Sequence, residues 1–374
     1  MKQVKYYSGI LSLIASLVLA SCSGSFRPGD FRLVFTDLST GSEASIRALC
    51  VVNENVVWAA GSGGQYLLTA NGGNTWKTGI VEGAETDDFR SIYAWGPSRA
   101  QVFGTSSPGR GYMTETAGEE WQLVFEDSTA GVFFNSLSYA DEFRGLALSD
   151  PVDSLSYIIK TNDGGFSWSR ITGLPVLNDS EYNFAASNSC IQYNRSGRIW
   201  MVTGGGDSRV FTSADHGDTW DVAPSGLAYS VPSGGIFSVS FLDESKGIVV
   251  GGTYDKPELN DRIAAFTLDG GEKWILSDKM PAEFRSCVFW MKYRNRDIAV
   301  AVGKTGIDIS TDHGNSWHNI SDKGYYTGRA VPGTSTAFLA GSDGRIAKIV
   351  LKRRNNKSGT EEPDAAGQAI SNDE

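Results

Sequence analysis

Cysteine and histidine are scarce in this chain of 374 residues, which has four cysteines and three histidines. They show neither a C-x-x-C pair nor the spacing of metal ligands, so we predict no metal site. Apart from Cys22 there are three cysteines, Cys50, Cys190 and Cys287. Because their number is odd, they cannot all form disulfides with one another, and whether two of them pair stays open. No G-x-G-x-x-G segment leads from a strand into a helix, and we predict no cofactor.

Positive charge is also in deficit. The chain has 33 lysines and arginines against 43 aspartates and glutamates, a formal net charge of −10. No long basic stretch offsets this excess of negative charge. A nucleic-acid partner is therefore not expected, because such proteins need a basic surface for the phosphates.

Long hydrophobic runs are absent apart from one near the beginning. Lys2 and Lys5 precede an apolar run from Ile10 to Ala20, and residues 1–21 are predicted to be a signal peptide. The run is too short for a transmembrane helix. Its end, Leu19-Ala-Ser-Cys22, resembles the lipobox of bacterial lipoproteins; the alternative is ordinary cleavage beside an incidental cysteine.

The lipobox resemblance implies acylation of Cys22 and anchorage in the cell envelope, with the membrane contacted through the lipid alone. Ser23, in place of aspartate, favours the outer membrane, on its periplasmic or surface face. Residues 22–30 are expected to form a tether. Residues 352–374 begin with a short basic cluster, have almost no apolar content after it, and are expected to form a disordered tail.

The chain is instead rich in glycine and aromatic residues, with 44 Gly, ten Trp and fourteen Tyr, which favours short strands joined by tight turns. An eight-residue pattern, S/T-x-D-x-G-x-S/T-W, recurs along most of it. Its turn-forming acid or amide is predicted at Asn71, Asp163, Asp215, Asp269 and Asp312, and its tryptophan at Trp76, Trp121, Trp168, Trp220, Trp274 and Trp317. The copy at 114–121 is weak, because threonine replaces the acid.

The repeat period predicts the fold. The tryptophans are 45, 47, 52, 54 and 43 residues apart, which suits one four-stranded blade of a β-propeller per repeat. Six repeats give six blades, and residues 335–340 and 345–350 supply inner strands of a seventh. Phe31–Phe35 resembles an outer strand and should close that blade. We therefore predict an all-β, seven-bladed propeller over residues 31–351, as a monomer.

The repeat is identified as the Asp box, or BNR repeat, of several propeller families. The chain most resembles the photosystem II stability and assembly factors and their bacterial relatives, and more distantly sialidases and the Vps10 domain of sortilins. The first resemblance implies a non-enzymatic module that binds protein. The chain lacks the sialidase F/Y-R-I-P motif within its blades, so no catalytic residue is carried over from that family.

Four arginines occupy one repeat position, at the start of the innermost strands of contiguous blades. We expect Arg47, Arg90, Arg285 and Arg329 to line one arc of the channel mouth and to attract anionic groups. The alternative is an internal network in which acidic side chains from neighbouring loops neutralise them. Asn135 at the equivalent position and Tyr254 in a nearby loop are further candidate ligand contacts.

Long loops of blades three to five carry possible catalytic acids, namely Asp150, Asp153, Asp207 and Asp255. Two functions stay open. The first is a binding or assembly module for a protein or an anionic glycan. The second is a carbohydrate-active hydrolase or lyase, which needs two carboxylates a few ångströms apart beside the arginines.

Overall fold

The computed structural model describes residues 27–229 and 231–354. The predicted signal peptide, Cys22, most of the tether and the tail from residue 355 onward lie outside these residues. Within them, one 3₁₀ turn covers Pro28–Asp30 and almost all other regular structure is strand. No helix in the part described is long and apolar enough to cross a membrane.

The strands are short, as the spacing of turn residues predicts. In chain order they are β1 (Phe31–Leu38), β2 (Ile46–Val51), β3 (Val57–Gly61), β4 (Gln65–Thr69), β5 (Lys77–Ile80), β6 (Phe89–Ala94), β7 (Ala100–Gly104), β8 (Gly109–Thr114), β9 (Gln122–Asp127), β10 (Phe134–Tyr139), β11 (Gly145–Val152), β12 (Leu155–Thr161), β13 (Ser169–Arg170), β14 (Glu181–Tyr182), β15 (Ile191–Tyr193), β16 (Ile199–Val202), β17 (Gly204–Gly205), β18 (Arg209–Ser213), β19 (Asp221–Pro224), β20 (Gly234–Phe241), β21 (Gly247–Thr253), β22 (Ala264–Thr267), β23 (Ile275–Leu276), β24 (Cys287–Tyr293), β25 (Arg296–Gly303), β26 (Gly306–Ser310), β27 (His318–Ser321), β28 (Thr327–Ala330), β29 (Thr336–Ala340) and β30 (Ile346–Arg353).

These strands form seven antiparallel sheets arranged as the blades of a propeller. Blades one to three are β2–β5, β6–β9 and β10–β13; blade four is β15, β16, β18 and β19; blades five and six are β20–β23 and β24–β27. Blade seven consists of β28, β29, β30 and β1. Innermost strands contact those of the next blade all the way round, which closes a ring. The predicted seven-bladed propeller is confirmed.

The N-terminal strand closes the last blade, as predicted. β1 pairs antiparallel with β30 from Phe31 opposite Arg353 to Leu38 opposite Ile346. β30 therefore continues two residues past the predicted boundary at Leu351, because Lys352 and Arg353 still have partners in β1. Phe31 is fully buried at this seam. The pairing removes an open sheet edge from the ring.

Each Asp box forms the turn between the third and fourth strands of its blade. In the third box, the hydroxyl of Thr161 donates to Asp163 at 2.7 Å and accepts the Gly165 N–H at 2.9 Å. The Asp163 carboxylate accepts the Ser167 N–H at 3.0 Å. In the next box, the Thr219 hydroxyl and N–H are the main donors that lower the pKa of Asp215 to about 2. The turns are thus closed by local hydrogen bonds.

The tryptophan that ends each box packs between its own blade and the preceding one. Trp168 of blade three meets Phe103 of blade two edge-on, with ring centroids 5.1 Å apart. Trp121 packs in the same way on the cluster between blades one and two, which includes Trp58 and Ile92. The hydrophobic core is therefore divided among the seams between blades, as expected when each sheet buries both faces.

Alternation of strand direction gives the ring two faces. The box face carries the Asp-box turns and the turns between first and second strands. The mouth face carries the loops between second and third strands and the connections between blades. Residues that open the innermost strands therefore lie towards the mouth face, around the central channel.

Candidate functional site

A segment of blade four crosses the central channel. The innermost strand of this blade is only Ile191–Tyr193, and the residues before it do not extend it. Residues 183–189, here called the plug, instead contact the inner strands of blades two, three, five, six and seven. Contacts with so many blades place the plug across the channel axis.

Asn188 is the centre of the plug. Its Oδ1 accepts the Leu137 N–H at 2.7 Å, and its Nδ2 donates to the Ile92 carbonyl at 2.9 Å. Its backbone has φ of 57°, a left-handed conformation that asparagine tolerates better than most residues. Ser187 donates to the Ser286 carbonyl at 2.7 Å and accepts from Thr327 at 3.0 Å. The plug thus satisfies backbone groups of several blades and divides the channel into two cavities.

Two short strands strengthen the mouth side of the plug. β14 pairs with β17, and β17 pairs with β20, which extends blade five to six strands. The approach is close enough to require glycine, since a Cβ on Gly204 would lie 2.4 Å from the Phe184 ring. Glu181 in β14 is buried and forms an ion pair with Arg209 at 2.5 Å. Glu181 is therefore neutralised within this support.

Above the plug, on the mouth face, lies a cavity of about 410 Å³, here called the mouth cavity. Its cations come from blades one, two and six and its aromatic rings from the plug and blades five to seven. The lining residues used below are Arg47, Arg90, Lys304, Phe184, Ala185, Tyr254, Phe237, Phe284 and Tyr326. No carboxylate is among the described residues that line it.

The two arginines of the mouth cavity differ in their partners. Arg90 pairs with Asp88 at 2.6 Å and donates to the Ala185 carbonyl of the plug at 2.8 Å. Arg47 donates to the Ser45 hydroxyl at 2.5 Å and lies 4.2 Å from the centre of the Tyr326 ring. Within the described ranges it has no carboxylate at ion-pair distance. Burial, and then repulsion by Arg90, lower the pKa of Arg47. An incoming anion would relieve both effects.

The opposite wall of the mouth cavity is aromatic. Phe184 stacks on Phe237 with ring centroids 3.7 Å apart, and Phe284 meets Phe237 edge-on at 4.7 Å. Tyr254 completes this wall and is 48% exposed. Lys304 donates to the Tyr254 carbonyl at 2.5 Å. The cavity therefore offers an apolar wall facing positive charge, a combination suited to an amphipathic anionic ligand.

The predicted arc of four arginines is wrong for two of its members. Arg285 is fully buried within blade six, where its Nε donates to Asp308 at 2.6 Å. Burial raises the pKa of Asp308, and the Arg285 charge opposes that rise. Arg329 turns away from the mouth, donating to the Ser187 and Asn188 carbonyls at 3.0 and 2.7 Å. Repeat position sets where a chain segment lies, while local partners decide where its side chain points.

The four predicted acids do not meet at the mouth. Asp150 is largely buried and accepts from the Asn135 amide at 3.0 Å, and Asn135 is itself fully buried. Asp153 is exposed in a tight turn. Asp207 accepts from Asn178 at 2.9 Å, and Asp255 accepts from the Thr253 hydroxyl. None lines the mouth cavity. Of the residues predicted to bind a ligand, the structure brings together Arg47, Arg90 and Tyr254.

Sequence reasoning missed Lys304 and all of the aromatic wall except Tyr254. One signal was present, because Phe237 occupies in blade five the repeat position that Arg47 and Arg90 occupy in theirs. A bulky ring at that position marks the arc opposite the arginines. Phe184 had no such signal, since it belongs to the plug, which departs from the repeat.

The part of the chain described contains no group of three or more His, Cys, Asp or Glu side chains placed to hold a metal ion. Its three cysteines are free, with Cys190 and Cys287 buried and Cys50 partly so. Burial raises the pKa of the Cys50 thiol to about 11. At neutral pH this thiol is protonated and is a poor nucleophile.

Comparison with known proteins identifies related chains, although no family model matches. The chain is 23% identical over 252 residues to the photosystem II assembly lipoprotein Ycf48 of Synechococcus sp. (strain CC9902). The match covers 67% of this chain and 66% of that protein, slightly less than two thirds of the relative's length.

Two solved structures share the fold. Ycf48 bound to a D1 peptide superposes with a TM-score of 0.59 and 16% identity, covering 87% of this chain and 98% of that one. Ycf48 from Cyanidioschyzon merolae has a TM-score of 0.59 and 17% identity, covering 84% and 98%. The predicted resemblance to the photosystem II assembly factors is confirmed. At these identities the structural match establishes the propeller fold alone.

Proposed function

We propose that this chain is a non-enzymatic binding module that holds an anionic segment of a partner protein in the mouth cavity. The observation that carries the proposal is the Arg47 guanidinium, which is partly buried, has no carboxylate partner among the described residues and faces an aromatic wall. An acidic or terminal carboxylate would accept hydrogen bonds from Arg47. A neighbouring apolar side chain would pack against Phe237 and Phe284.

The plug blocks the central channel, which favours a function in which the ring binds a ligand over one in which a molecule passes through it. It forms the floor of the mouth cavity and presents the Ala185 carbonyl to Arg90, which fixes that guanidinium in place. A ligand can therefore enter from the mouth face and rest on a preorganised surface. The structure of Ycf48 with a D1 peptide provides a precedent for a protein ligand on a propeller of this fold.

The placement of the acids favours binding over hydrolysis. A glycosidase of the ordinary kind needs two carboxyl groups on either side of the scissile bond. Asp150, Asp153, Asp207 and Asp255 all lie outside the mouth cavity, and Asp88 beside it is occupied by Arg90. An anionic glycan held without reaction is the alternative ligand for the same cations.

Anchorage through a lipid on Cys22, in the outer membrane, is part of the proposal. β1 runs from the box face at Phe31 to the mouth face at Leu38, as the outer strand of its blade must. An anchor a few residues before Phe31 would hold the box face towards the membrane. The mouth cavity would then face away from the lipid, towards partners. The similar protein Ycf48 of Synechococcus sp. (strain CC9902) is a lipoprotein, which supports the lipid anchor.

The test is a comparison of the wild type with an Arg47→Ala/Arg90→Ala variant on arrays of acidic peptides and of anionic glycans. We expect peptides that combine a carboxylate with an apolar residue to bind the wild type. Loss of charged hydrogen bonds should weaken the binding of these peptides by about 10- to 100-fold in the variant. High salt should weaken their binding to the wild type in the same direction, because it screens the charges.

Arg110→Ala is the matched control, because Arg110 lies in the outer strand pair β8–β9 of blade two, bonds Glu126 at 2.7 Å and does not line the mouth cavity. It should bind peptides as the wild type does. Peptide binding that survives the double substitution would refute the proposed site. Binding confined to glycans would refute the protein partner.

A further inference from the structure

The plug leaves a second cavity on its other side. This box-side cavity has a volume of about 320 Å³ and opens towards the box face. All seven innermost strands contribute to its lining, which is mostly apolar and includes Leu49, Ile92, Leu137, Ile191, Val239 and Val288. Cavities of this size with a mostly apolar surface are typical ligand sites.

Arg329 carries the single charge among the described residues that line the box-side cavity. Its Nη atoms donate to backbone carbonyls of Ser187, Asn188 and Gly328, at 3.0, 2.7 and 2.8 Å. Carbonyls accept hydrogen bonds from the Nη atoms but do not neutralise the charge. In residues 27–229 and 231–354 no carboxylate pairs with this guanidinium, and its Nε–H has no hydrogen-bond acceptor. The cavity therefore has an uncompensated cation where the plug closes it.

The open end of the box-side cavity is aromatic. Tyr93 and Tyr139 line it, with ring centroids 4.5 Å apart, and Trp95 packs on both at 5.0 and 4.8 Å. The cavity is thus an apolar tube with a cation at its inner end and aromatic rings towards the box face. The plug separates it from the mouth cavity, so an occupant of one does not enter the other.

We propose that the box-side cavity binds an amphipathic carboxylate, an alkyl chain with a single anionic end. The carboxylate lies nearest Arg329, within reach of its Nε–H, and the chain runs past Ile92 and Val239 towards Tyr93 and Tyr139. Burial of the chain supplies most of the affinity, and the charge of Arg329 selects the anionic head. This site is independent of the function proposed for the mouth cavity.

Isothermal titration calorimetry with octanoate, octan-1-ol and octyltrimethylammonium tests the site on the intact chain. We expect octanoate to bind at one site, octanol to bind about tenfold more weakly, and the cation to show no binding. Arg329→Gln should reduce octanoate affinity to that of octanol, whereas Arg329→Lys should retain most of it. Equal affinity for octanoate and octanol in the wild type would overturn the role of Arg329.

A second variant tests the location even if Arg329→Gln disturbs the plug. Ala330 lines the box-side cavity, so Ala330→Phe should fill it and abolish octanoate binding. Ala223→Phe makes the same change on outer strand β19 and should leave binding intact. Retention of binding in Ala330→Phe, or its loss in Ala223→Phe, would place the ligand elsewhere and overturn the proposal.

Discussion

Asp150 illustrates how surroundings decide the chemistry of a residue. Its carboxyl group is largely buried beside the plug, and no cation in the described part of the chain pairs with it. Burial raises its pKa from 3.8 to about 7, although hydrogen bonds from the Asn135 amide and the Asn183 N–H oppose the rise. Asp215, in an Asp box, instead has its pKa lowered to about 2, because several donors, the Thr219 hydroxyl and N–H first among them, converge on its carboxylate.

The raised pKa of Asp150 predicts how stability depends on pH. The folded state binds this proton more tightly than the unfolded state, so the free energy of unfolding should fall as pH rises from about 4 to about 7. Asp150→Asn removes that penalty. It should be more stable than the wild type by about 1 to 3 kcal/mol at pH 8 and nearly equal to it at pH 4, as measured by urea unfolding.

Asp153→Asn is the control for this prediction. Asp153 is exposed in a turn with φ of 52°, which asparagine also accepts. Its effect on stability should be small and the same at both pH values. If the stability difference between Asp150→Asn and the wild type did not change with pH, the buried carboxyl would not be the group that titrates.

At the level of elements, the second Asp box shows which parts of the motif are replaceable. Thr116 stands where the other boxes have an aspartate or, in the first box, Asn71, and its hydroxyl accepts the Glu120 N–H at 2.8 Å. Thr114 still accepts the Gly118 N–H at 3.0 Å, as the first residue of each box does. The turn therefore survives without a carboxylate. The left-handed backbone at the fourth position also persists, with Ala117 at φ of 57°.

Ala117→Gly should stabilise the protein. Alanine in the left-handed region costs about 1 kcal/mol or more, and glycine does not have that penalty. We expect the free energy of unfolding to rise by about 0.5 to 1 kcal/mol in denaturant titrations. Ala147→Gly in the middle of β11 is the control and should lower it instead. Destabilisation by Ala117→Gly would show that packing of the methyl group outweighs backbone strain.

At the level of the whole molecule, the ring is closed by two devices. β1 joins the ends of the described chain in one blade, and the plug ties blades together at the channel axis. The first device acts at the perimeter and the second at the centre. Together they oppose opening of the ring between any two blades.

Removal of β1 should open blade seven. A variant that begins at residue 39 leaves β30 as an exposed edge with Leu351 uncovered, whereas one that begins at residue 27 retains all eight pairs of β1. We expect the shorter chain to melt about 10 °C or more below the longer one and to self-associate. Thermal unfolding and size-exclusion chromatography measure both. Equal melting temperatures would show that the latch is dispensable.

The sequence by itself determined the propeller, its seven blades and the strand that closes it. Asp boxes are held by hydrogen bonds between residues within a few positions of one another, such as Thr161 and Asp163, so the pattern is visible locally. Their regular spacing then implies the ring, because each blade must bury its faces against neighbours.

Only the tertiary structure decided how the channel is divided and which arginines face a ligand. Arg329 turns to Ser187, 142 positions away in the chain, and Arg285 turns to Asp308 on another strand of its blade. Folding brings these partners close to each guanidinium, and an alignment of the repeats does not show which residues become neighbours. The plug likewise departs from the repeat and is held by groups from several blades. The direction of a side chain depends on such long-range contacts, whereas the position of its backbone follows from the repeat.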